Sequence, residues 1–124
     1  MARVARCCCG SLQAEAVADP VAVVACHCTE CQRRTGAAFG VGVYFRKGDV
    51  ITVGPSTTYV RDGQGGRKFR SHFCPTCGTT VYWFADLRPD FIGVAIGAFT
   101  DPSFANAISV GANAALLGCF RSCA

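Results

Sequence analysis

The chain lacks any uninterrupted apolar stretch long enough to span a bilayer, although 51% of its 124 residues are hydrophobic. Its first ten residues, MARVARCCCG, contain two arginines but no apolar run behind them, so they do not resemble a secretory signal. No repeat or low-complexity block stands out apart from the glycine-rich segment near Gly63–Gly66. These absences argue against a membrane protein and favour one domain in a reducing, cytoplasmic compartment.

Cysteine is the residue in excess, with ten in the chain. Eight of them lie in three tight clusters, and seven of these, all but Cys8, are candidate metal ligands. The clusters are CCCG at Cys7–Gly10, CHCTEC at Cys26–Cys31 and CPTCG at Cys74–Gly78. In a reducing compartment, clustered cysteines indicate metal or redox chemistry more often than disulfides. The usual iron–sulfur spacings are absent, and an all-sulfur ligand set suits zinc. The seven sulfurs divide naturally into a closed site of four ligands and an open site of three.

The first predicted site is structural. Cys74 and Cys77 form a Cys-x-x-Cys-Gly zinc knuckle, in which the turn points both sulfurs at one ion. Cys7 and Cys9 are the natural donors of the other two sulfurs, which leaves Cys8 pointing elsewhere. Such a site connects segments about 65 residues apart, so that metal binding becomes folding free energy.

The second predicted site is unsaturated. Cys26, Cys28 and Cys31 can bring three sulfurs to one zinc ion. His27 lies between two ligands that must point the same way, so in extended backbone it faces away from them. With no fourth protein ligand evident, the open position can take water, hydroxide or a substrate thiolate, and zinc there acts as a Lewis acid.

Two alternatives for the second cluster remain open at this point. It is a further structural site if Cys8, Cys119 or Cys123 completes it. It is a redox pair if only Cys28 and Cys31 act, but that chemistry usually occurs on a βαβ frame, and no such alternation is visible.

The basic charge of the chain does not indicate a nucleic-acid partner. The formal charge of +4 counts cysteines as neutral, whereas zinc ligands are thiolates. Seven thiolates (−7) and two Zn²⁺ ions (+4) take it from +4 to about +1. A charge this small gives weak support to binding of a polyanion.

Short runs of β-branched and aromatic residues predict a mainly β domain of antiparallel sheets. One short helical turn is predicted at Thr29–Thr35, capped by Thr29 and ended by Gly36. CCCG is expected to precede the first strand, and CPTCG to connect two strands. The predicted strands are Ser11–Ala18, Val21–Cys26, Val41–Phe45, Val50–Val53, Thr57–Val60, Lys68–Phe73, Thr79–Phe84 and Phe91–Ile96.

These motifs resemble those of the glutathione-dependent formaldehyde-activating enzyme family, which also includes centromere protein V relatives. The resemblance extends from about Cys7 to Phe104 and is specific in its combination of spacings, glycines and arginines. The matching stretches are CxCG at Cys7–Gly10, CHCTECQRRTGAAF at Cys26–Phe39, HFCPTCGTTVYW at His72–Trp83 and IGAFTDP at Ile96–Pro102.

The resemblance implies a tent-like fold of antiparallel sheets that holds two zinc ions. It also implies a carbon–sulfur lyase that makes or breaks S-hydroxymethylglutathione from glutathione and formaldehyde. A zinc-stabilised binding module without turnover is the alternative, because fold similarity alone does not fix the reaction. Carried over by residue, the structural zinc ligands are Cys7, Cys9, Cys74 and Cys77, and the active-site zinc ligands are Cys26, Cys28 and Cys31.

Two arginines just beyond the second cluster are candidate substrate ligands. Arg33 and Arg34 can hold a carboxylate of glutathione in fork geometry, although two arginines on a solvated helix face are equally expected there. Phe39 and Phe73 are candidates for a pocket wall or for the core. The domain is expected to span residues 1–110, and 111–124 form an atypical small and apolar tail. The sequence leaves the oligomeric state open.

Overall fold

A computed structural model of the chain describes residues 2–109. In that range it contains ten strands and two short helices. Three 3₁₀ turns lie at Lys47–Asp49, Gln64–Gly66 and Pro102–Ala107. The helices are α1 (Thr29–Thr35) and α2 (Ile96–Phe99). The strands are β1 (Arg3–Arg6), β2 (Gln13–Ala16), β3 (Ala22–Cys26), β4 (Gly40–Arg46), β5 (Val50–Val53), β6 (Thr57–Asp62), β7 (Lys68–Phe73), β8 (Thr80–Ala85), β9 (Phe91–Ala95) and β10 (Ile108–Ser109).

The described strands form two sheets. A three-stranded sheet has the order β1-β2-β5, and a seven-stranded sheet has the order β10-β3-β4-β9-β8-β7-β6. Pairing is antiparallel throughout, except that β10 runs parallel to β3. The predicted mainly β fold of antiparallel sheets is therefore confirmed.

The main core contains apolar residues from both sheets. Alternation along β4 shows how the seven-stranded sheet divides its side chains, because Val43 and Phe45 enter this core while Tyr44, between them, belongs to a second cluster. That second cluster marks the other face of the large sheet, called here the outer face; its buried members are Val24, Tyr44, Phe69 and Trp83. The outer face is where the cleft described below is found.

Two glycines on the outer face leave room for the indole of Trp83. A Cβ at Gly93 would overlap the indole nitrogen, and a Cβ at Gly42 would lie 2.8 Å from the ring atom Cζ2. The indole Nε1 donates to the hydroxyl of Tyr44 at 3.3 Å. Trp83 therefore lies flat against the backbone of β4 and β9, and the sequence keeps glycine where the ring passes.

The predicted helical turn has the observed bounds, Thr29–Thr35, but its predicted cap is wrong. Cys28 is the N-cap, and its sulfur accepts a hydrogen bond from the backbone N–H of Cys31. Thr29 is the first helical residue. Gly36 ends the helix in the left-handed conformation, with φ of 67°, as predicted.

Three elements were not predicted. β1 precedes CCCG, so the expectation that this cluster lies before the first strand is wrong. The strand predicted to reach Ile96 ends at Ala95, and the unpredicted helix α2 begins at Ile96. Phe99 of α2 packs on Phe45, with ring centroids 6.1 Å apart. The third unpredicted element is β10.

The tail of residues 111–124 lies outside the described residues. In the described part, no helix is long and apolar enough to cross a membrane.

Candidate metal centres and an adjoining cleft

The closed cluster comprises Cys7, Cys9, Cys74 and Cys77, whose sulfurs all lie within 4.8 Å of one another. The Sγ atom of Cys9 is 3.6 Å from those of both Cys7 and Cys74. A tetrahedral zinc ion with bonds of about 2.3 Å places its ligand sulfurs about 3.8 Å apart. The observed spacings fit such an ion, so these residues can hold zinc. Because Cys7 follows β1 and Cys74 follows β7, the cluster connects the two sheets.

Both arms of the closed cluster are tight turns. The N–H of Gly78 donates to the carbonyl of Cys74 at 2.9 Å, and the N–H of Gly10 donates to the carbonyl of Cys7 at 3.0 Å. Both glycines have positive φ, 78° and 84° respectively, which other residues adopt at a cost. The glycine that follows each cysteine motif therefore lets the chain turn back beneath the sulfurs.

Hydroxyl groups favour the thiolate form of two cysteines of the closed cluster, Cys74 and Cys77. The Thr79 hydroxyl lies 3.3 Å from the sulfur of Cys77 and is the main cause that lowers the pKa of this thiol to about 5. The Ser11 hydroxyl lies 3.3 Å from the sulfur of Cys74 and is the main cause that lowers the pKa of that thiol to about 7. A hydrogen bond to the thiolate favours the charged form, which is the form that binds zinc.

The open cluster comprises Cys26, Cys28 and Cys31, whose sulfurs also lie within 4.8 Å of one another. Cys26 ends β3, Cys28 caps α1 and Cys31 lies in its first turn, so one short segment supplies all three. The N–H of Cys31 donates to the sulfur of Cys28 at 3.3 Å. Within residues 2–109, no fourth metal-ligating side chain joins this group. The three sulfurs can hold a metal ion, and they fit an ion that retains an open position.

An open cleft of about 380 Å³ lies on the outer face of the seven-stranded sheet beside the open cluster. Cys31 forms part of its wall, as do Gly78 of the zinc knuckle and Thr80 of β8. The rest of its lining is aromatic or charged, apart from Ser71. The aromatic residues are Tyr59, Phe69, Phe73 and Trp83, and the charged residues are Glu30, Arg33, Arg34 and Arg61.

Comparison with known proteins decides the family. The model of the glutathione-dependent formaldehyde-activating enzyme family matches residues 2–110. The chain belongs to this family. No curated protein sequence matches it significantly. A protein of Rhodobacter sphaeroides with a known crystal structure is 21% identical, with a TM-score of 0.65, over 87% of this chain and 99% of that one. At this identity the likeness shows the fold alone.

Within this glutathione-dependent formaldehyde-activating enzyme family member, the structure brings together the two cysteine groups that the sequence predicts. Cys8 is exposed and belongs to neither group, and its backbone N–H donates to the hydroxyl of Thr79 at 3.2 Å. Cys119 and Cys123 lie outside the described residues. His27 is exposed and packs on Phe39, with ring centroids 5.1 Å apart, which agrees with the expectation that it faces away from the sulfurs.

The two predicted arginines have different surroundings. Arg33 has an exposed side chain and forms an ion pair with Glu30 at 3.6 Å. The guanidinium of Arg34 lies over the ring of Trp83, with its central carbon 4.5 Å from the ring centroid. Both arginines line the cleft, as does Phe73. Phe39 instead lines a second, adjoining cavity of about 670 Å³ that also reaches Arg34.

The sequence-based reasoning missed Arg61, which lines the same cleft from β6. Arg61 pairs with Phe69 across β6 and β7, and its guanidinium carbon lies 4.2 Å from the centroid of that ring. The available signal was the alternation of Tyr59 and Arg61, which places both side chains on one face of a strand. Which face that is depends on strand register, which a single sequence does not reveal.

Proposed function

We propose that the protein is a zinc-dependent carbon–sulfur lyase that forms or cleaves a thiol adduct of a small aldehyde, such as S-hydroxymethylglutathione. The proposal assigns two Zn²⁺ ions to each chain. Cys7, Cys9, Cys74 and Cys77 hold the structural ion, and Cys26, Cys28 and Cys31 hold the ion of the active site.

The observation that carries this proposal is the position of the three-sulfur cluster at the wall of a basic cleft. A four-sulfur zinc site is closed to chemistry, whereas a three-ligand site has room for a substrate. Cys31 belongs both to the cluster and to the lining of the cleft. A ligand in the cleft is therefore held beside the cluster. The family match supports glutathione and formaldehyde as the reactants.

The reaction is balanced without an oxidant or a reductant. A bond forms between the thiol sulfur and the aldehyde carbon, the carbon–oxygen double bond becomes single, and the thiol proton ends on the oxygen. A zinc ion in the open cluster supplies a Lewis acid that favours the thiolate form of sulfur at neutral pH.

The chain's own residues bind and orient the thiol. Arg33 and Arg34 provide guanidinium groups for its carboxylates, and the rings of Phe73 and Trp83 form apolar walls beside Cys31. Holding one reactant in place removes much of the entropic cost of bringing two molecules together.

Metal analysis combined with thiol titration tests the proposal. The protein is prepared with cobalt in place of zinc, its metal content is measured, and glutathione is added while the visible spectrum is recorded. We expect two metal ions per chain and a spectral change from thiolate ligation at one of them. The Cys28→Ser variant is expected to lose that change and to retain one ion.

Two outcomes would contradict the lyase. One tightly held metal per chain with a spectrum that glutathione leaves unchanged would favour the non-catalytic binding module. The same conclusion follows if two metal ions bind but the protein accelerates neither the formation nor the breakdown of the formaldehyde adduct. Both rates are measured by NMR exchange spectroscopy, with free Zn²⁺ as the control.

A further inference from the structure

Two guanidinium groups lie on two neighbouring aromatic rings of the outer face. Register places Arg61 opposite Phe69, and Ser71 opposite Trp83, so these side chains share one face of the sheet. The rings of Phe69 and Trp83 are stacked, with centroids 6.4 Å apart and planes inclined by 28°. Arg61 covers Phe69 at 4.2 Å, and Arg34 covers Trp83 at 4.5 Å.

A guanidinium group that is stacked on an aromatic ring can still bind a carboxylate. A guanidinium that lies on a ring carries its N–H donors around its edge, so ring contact and bidentate carboxylate binding use different parts of the group. Each contact with a ring also holds the cation in a defined place. Two such groups, on rings 6.4 Å apart, present donors to two separate anionic groups of one ligand.

Arg34 is held in place from several sides. A Cβ at Gly40 would lie 2.6 Å from its Nη2 atom, so β4 passes directly beside the guanidinium. The indole beneath it is fixed by the glycines of β4 and β9 and by the hydroxyl of Tyr44. Among residues 2–109, no carboxylate forms an ion pair with Arg34. A side chain ordered before binding loses less entropy when the ligand arrives.

The net charge of the side chains that line the cleft is positive. The lining contributes three guanidinium groups and a single carboxylate, that of Glu30. Glu30 is paired with Arg33, which is the most exposed of the three arginines at 75% side-chain exposure. Of the three cleft arginines, Arg33 is therefore the one that pairs with Glu30, whereas Arg34 and Arg61 are the two that lie on the stacked rings.

We propose that Arg34 and Arg61 are the specificity-determining residues of the cleft and that they select thiols with two carboxylates remote from the sulfur. Trp83 and Phe69 act as positioning residues for the two guanidinium groups. The inference rests on the proposed function and refines it, because it adds Arg61 of β6 to the predicted Arg33 and Arg34 and assigns selection to the two arginines that lie on rings.

Binding of S-methylglutathione to the zinc-loaded protein tests the inference without any thiol chemistry. This probe keeps both carboxylates and has a blocked sulfur. Affinity is measured by calorimetry, and Trp83, the only tryptophan of the chain, reports occupancy of Arg34 by its fluorescence. We expect Arg34→Gln and Arg61→Gln each to weaken binding roughly tenfold or more, as loss of a charge-assisted contact requires. Arg67→Gln, an exposed arginine outside the cleft, is the matched control and should bind as the parent does.

A second arm tests selection and positioning. The ratio of kcat/KM for glutathione to that for 2-mercaptoethanol, which has no carboxylate, should fall roughly tenfold in either arginine variant. Trp83→Leu should weaken binding of S-methylglutathione, whereas Trp83→Phe, which keeps a ring under Arg34, should preserve most of it, as judged by calorimetry.

The outcomes separate this inference from the lyase. Parental affinity in both arginine variants, or an equal loss in Arg67→Gln, overturns the assignment of Arg34 and Arg61. Failure of the parent protein to bind S-methylglutathione overturns it as well. Binding that depends on both arginines, in a protein that shows no adduct formation or cleavage, supports the inference and contradicts the lyase.

Discussion

The closed and open clusters use the same ligand type but are assembled differently. The closed cluster joins cysteines about 65 positions apart and ties the three-stranded sheet to the seven-stranded one. The open cluster draws its sulfurs from the continuous segment Cys26–Cys31, at the end of β3 and the start of α1. The first is a tertiary connection, and the second is a local motif that needs only the strand end and the helix cap.

This difference in assembly indicates which cluster the stability of the fold depends on. A metal ion that connects distant segments contributes its binding free energy to folding. A metal ion held by one segment contributes much less, because that segment already has a strand ladder and a cap to hold it. The closed cluster should therefore govern stability and the open cluster should govern activity.

The largest expected effect is the loss of folding when a cysteine of the closed cluster, rather than one of the open cluster, is replaced by serine. Cys74→Ser should abolish cooperative folding, since structural zinc contributes on the order of 10 kcal/mol, comparable to the stability of a whole domain. Cys28→Ser should remain folded, because serine is also a good N-cap for α1. Thermal unfolding by circular dichroism together with metal content measures both effects. Cys8→Ser, which changes an exposed cysteine outside both clusters, is the control.

Unfolding of Cys28→Ser as complete as that of Cys74→Ser would contradict the different roles of the two clusters. A cooperative transition of Cys74→Ser at the parental temperature would contradict them as well.

A chelator should remove zinc from the two clusters at different rates. With excess chelator, one equivalent of zinc should leave rapidly from the open cluster, which the cleft exposes, and the second equivalent should leave only as the chain unfolds. A chromophoric zinc indicator follows release while circular dichroism follows folding. Simultaneous loss of both equivalents would mean that the clusters do not differ in accessibility.

Gly54 provides a test of the backbone that supports the closed cluster. It has φ of 97°, and a Cβ there would overlap the carbonyl oxygen of Ser11, whose hydroxyl contacts the cluster sulfurs. Gly54→Ala should lower the free energy of unfolding by about 3 kcal/mol. Denaturant titration measures it, and Gly48→Ala, where a Cβ meets nothing within 4 Å, is the matched control. Equal stability of the two variants would show that the overlap is easily relieved.

The smallest effect concerns acid release of zinc from the closed cluster. The Thr79 hydroxyl is the main cause that lowers the pKa of Cys77 to about 5, below the ordinary thiol value, and so it favours the thiolate form that binds zinc as the pH falls. Thr79→Val removes the hydrogen bond and raises this pKa. Zinc should then leave at a higher pH by a fraction of a unit, measured with an indicator dye. Thr76→Val, which changes an exposed neighbour, should not shift the midpoint; an equal shift in both variants would contradict this role of Thr79.

Sequence patterns predicted most strands because their signals are local. β-branched runs such as Val50–Val53 were predicted with the observed bounds. The strand Arg3–Arg6 was missed because its alternation covers only four residues, two of them arginines. The helix cap was wrong because a cysteine sulfur rather than the expected hydroxyl of Thr29 accepts the capping hydrogen bond.

The residues of the candidate site likewise differ in whether local sequence predicts them. Both cysteine groups follow from spacing and ligand count, because a tetrahedral ion needs sulfurs that a short turn can bring together. Arg61 was missed because it reaches the cleft through the pairing of β6 with β7, a long-range property. The platform under Arg34 likewise depends on Gly42 and Gly93, which are distant in sequence and meet only around Trp83.

The chain order of the clusters has a consequence for synthesis. Cys26, Cys28 and Cys31 are all present early, whereas the closed cluster is incomplete until Cys77 has been added. At about 5 to 20 residues per second, the roughly 46 residues between Cys31 and Cys77 take about 2 to 9 seconds to translate. During that interval the nascent chain carries the ligands of the open cluster before the two sheets are connected, so a metal ion can bind at the open cluster first.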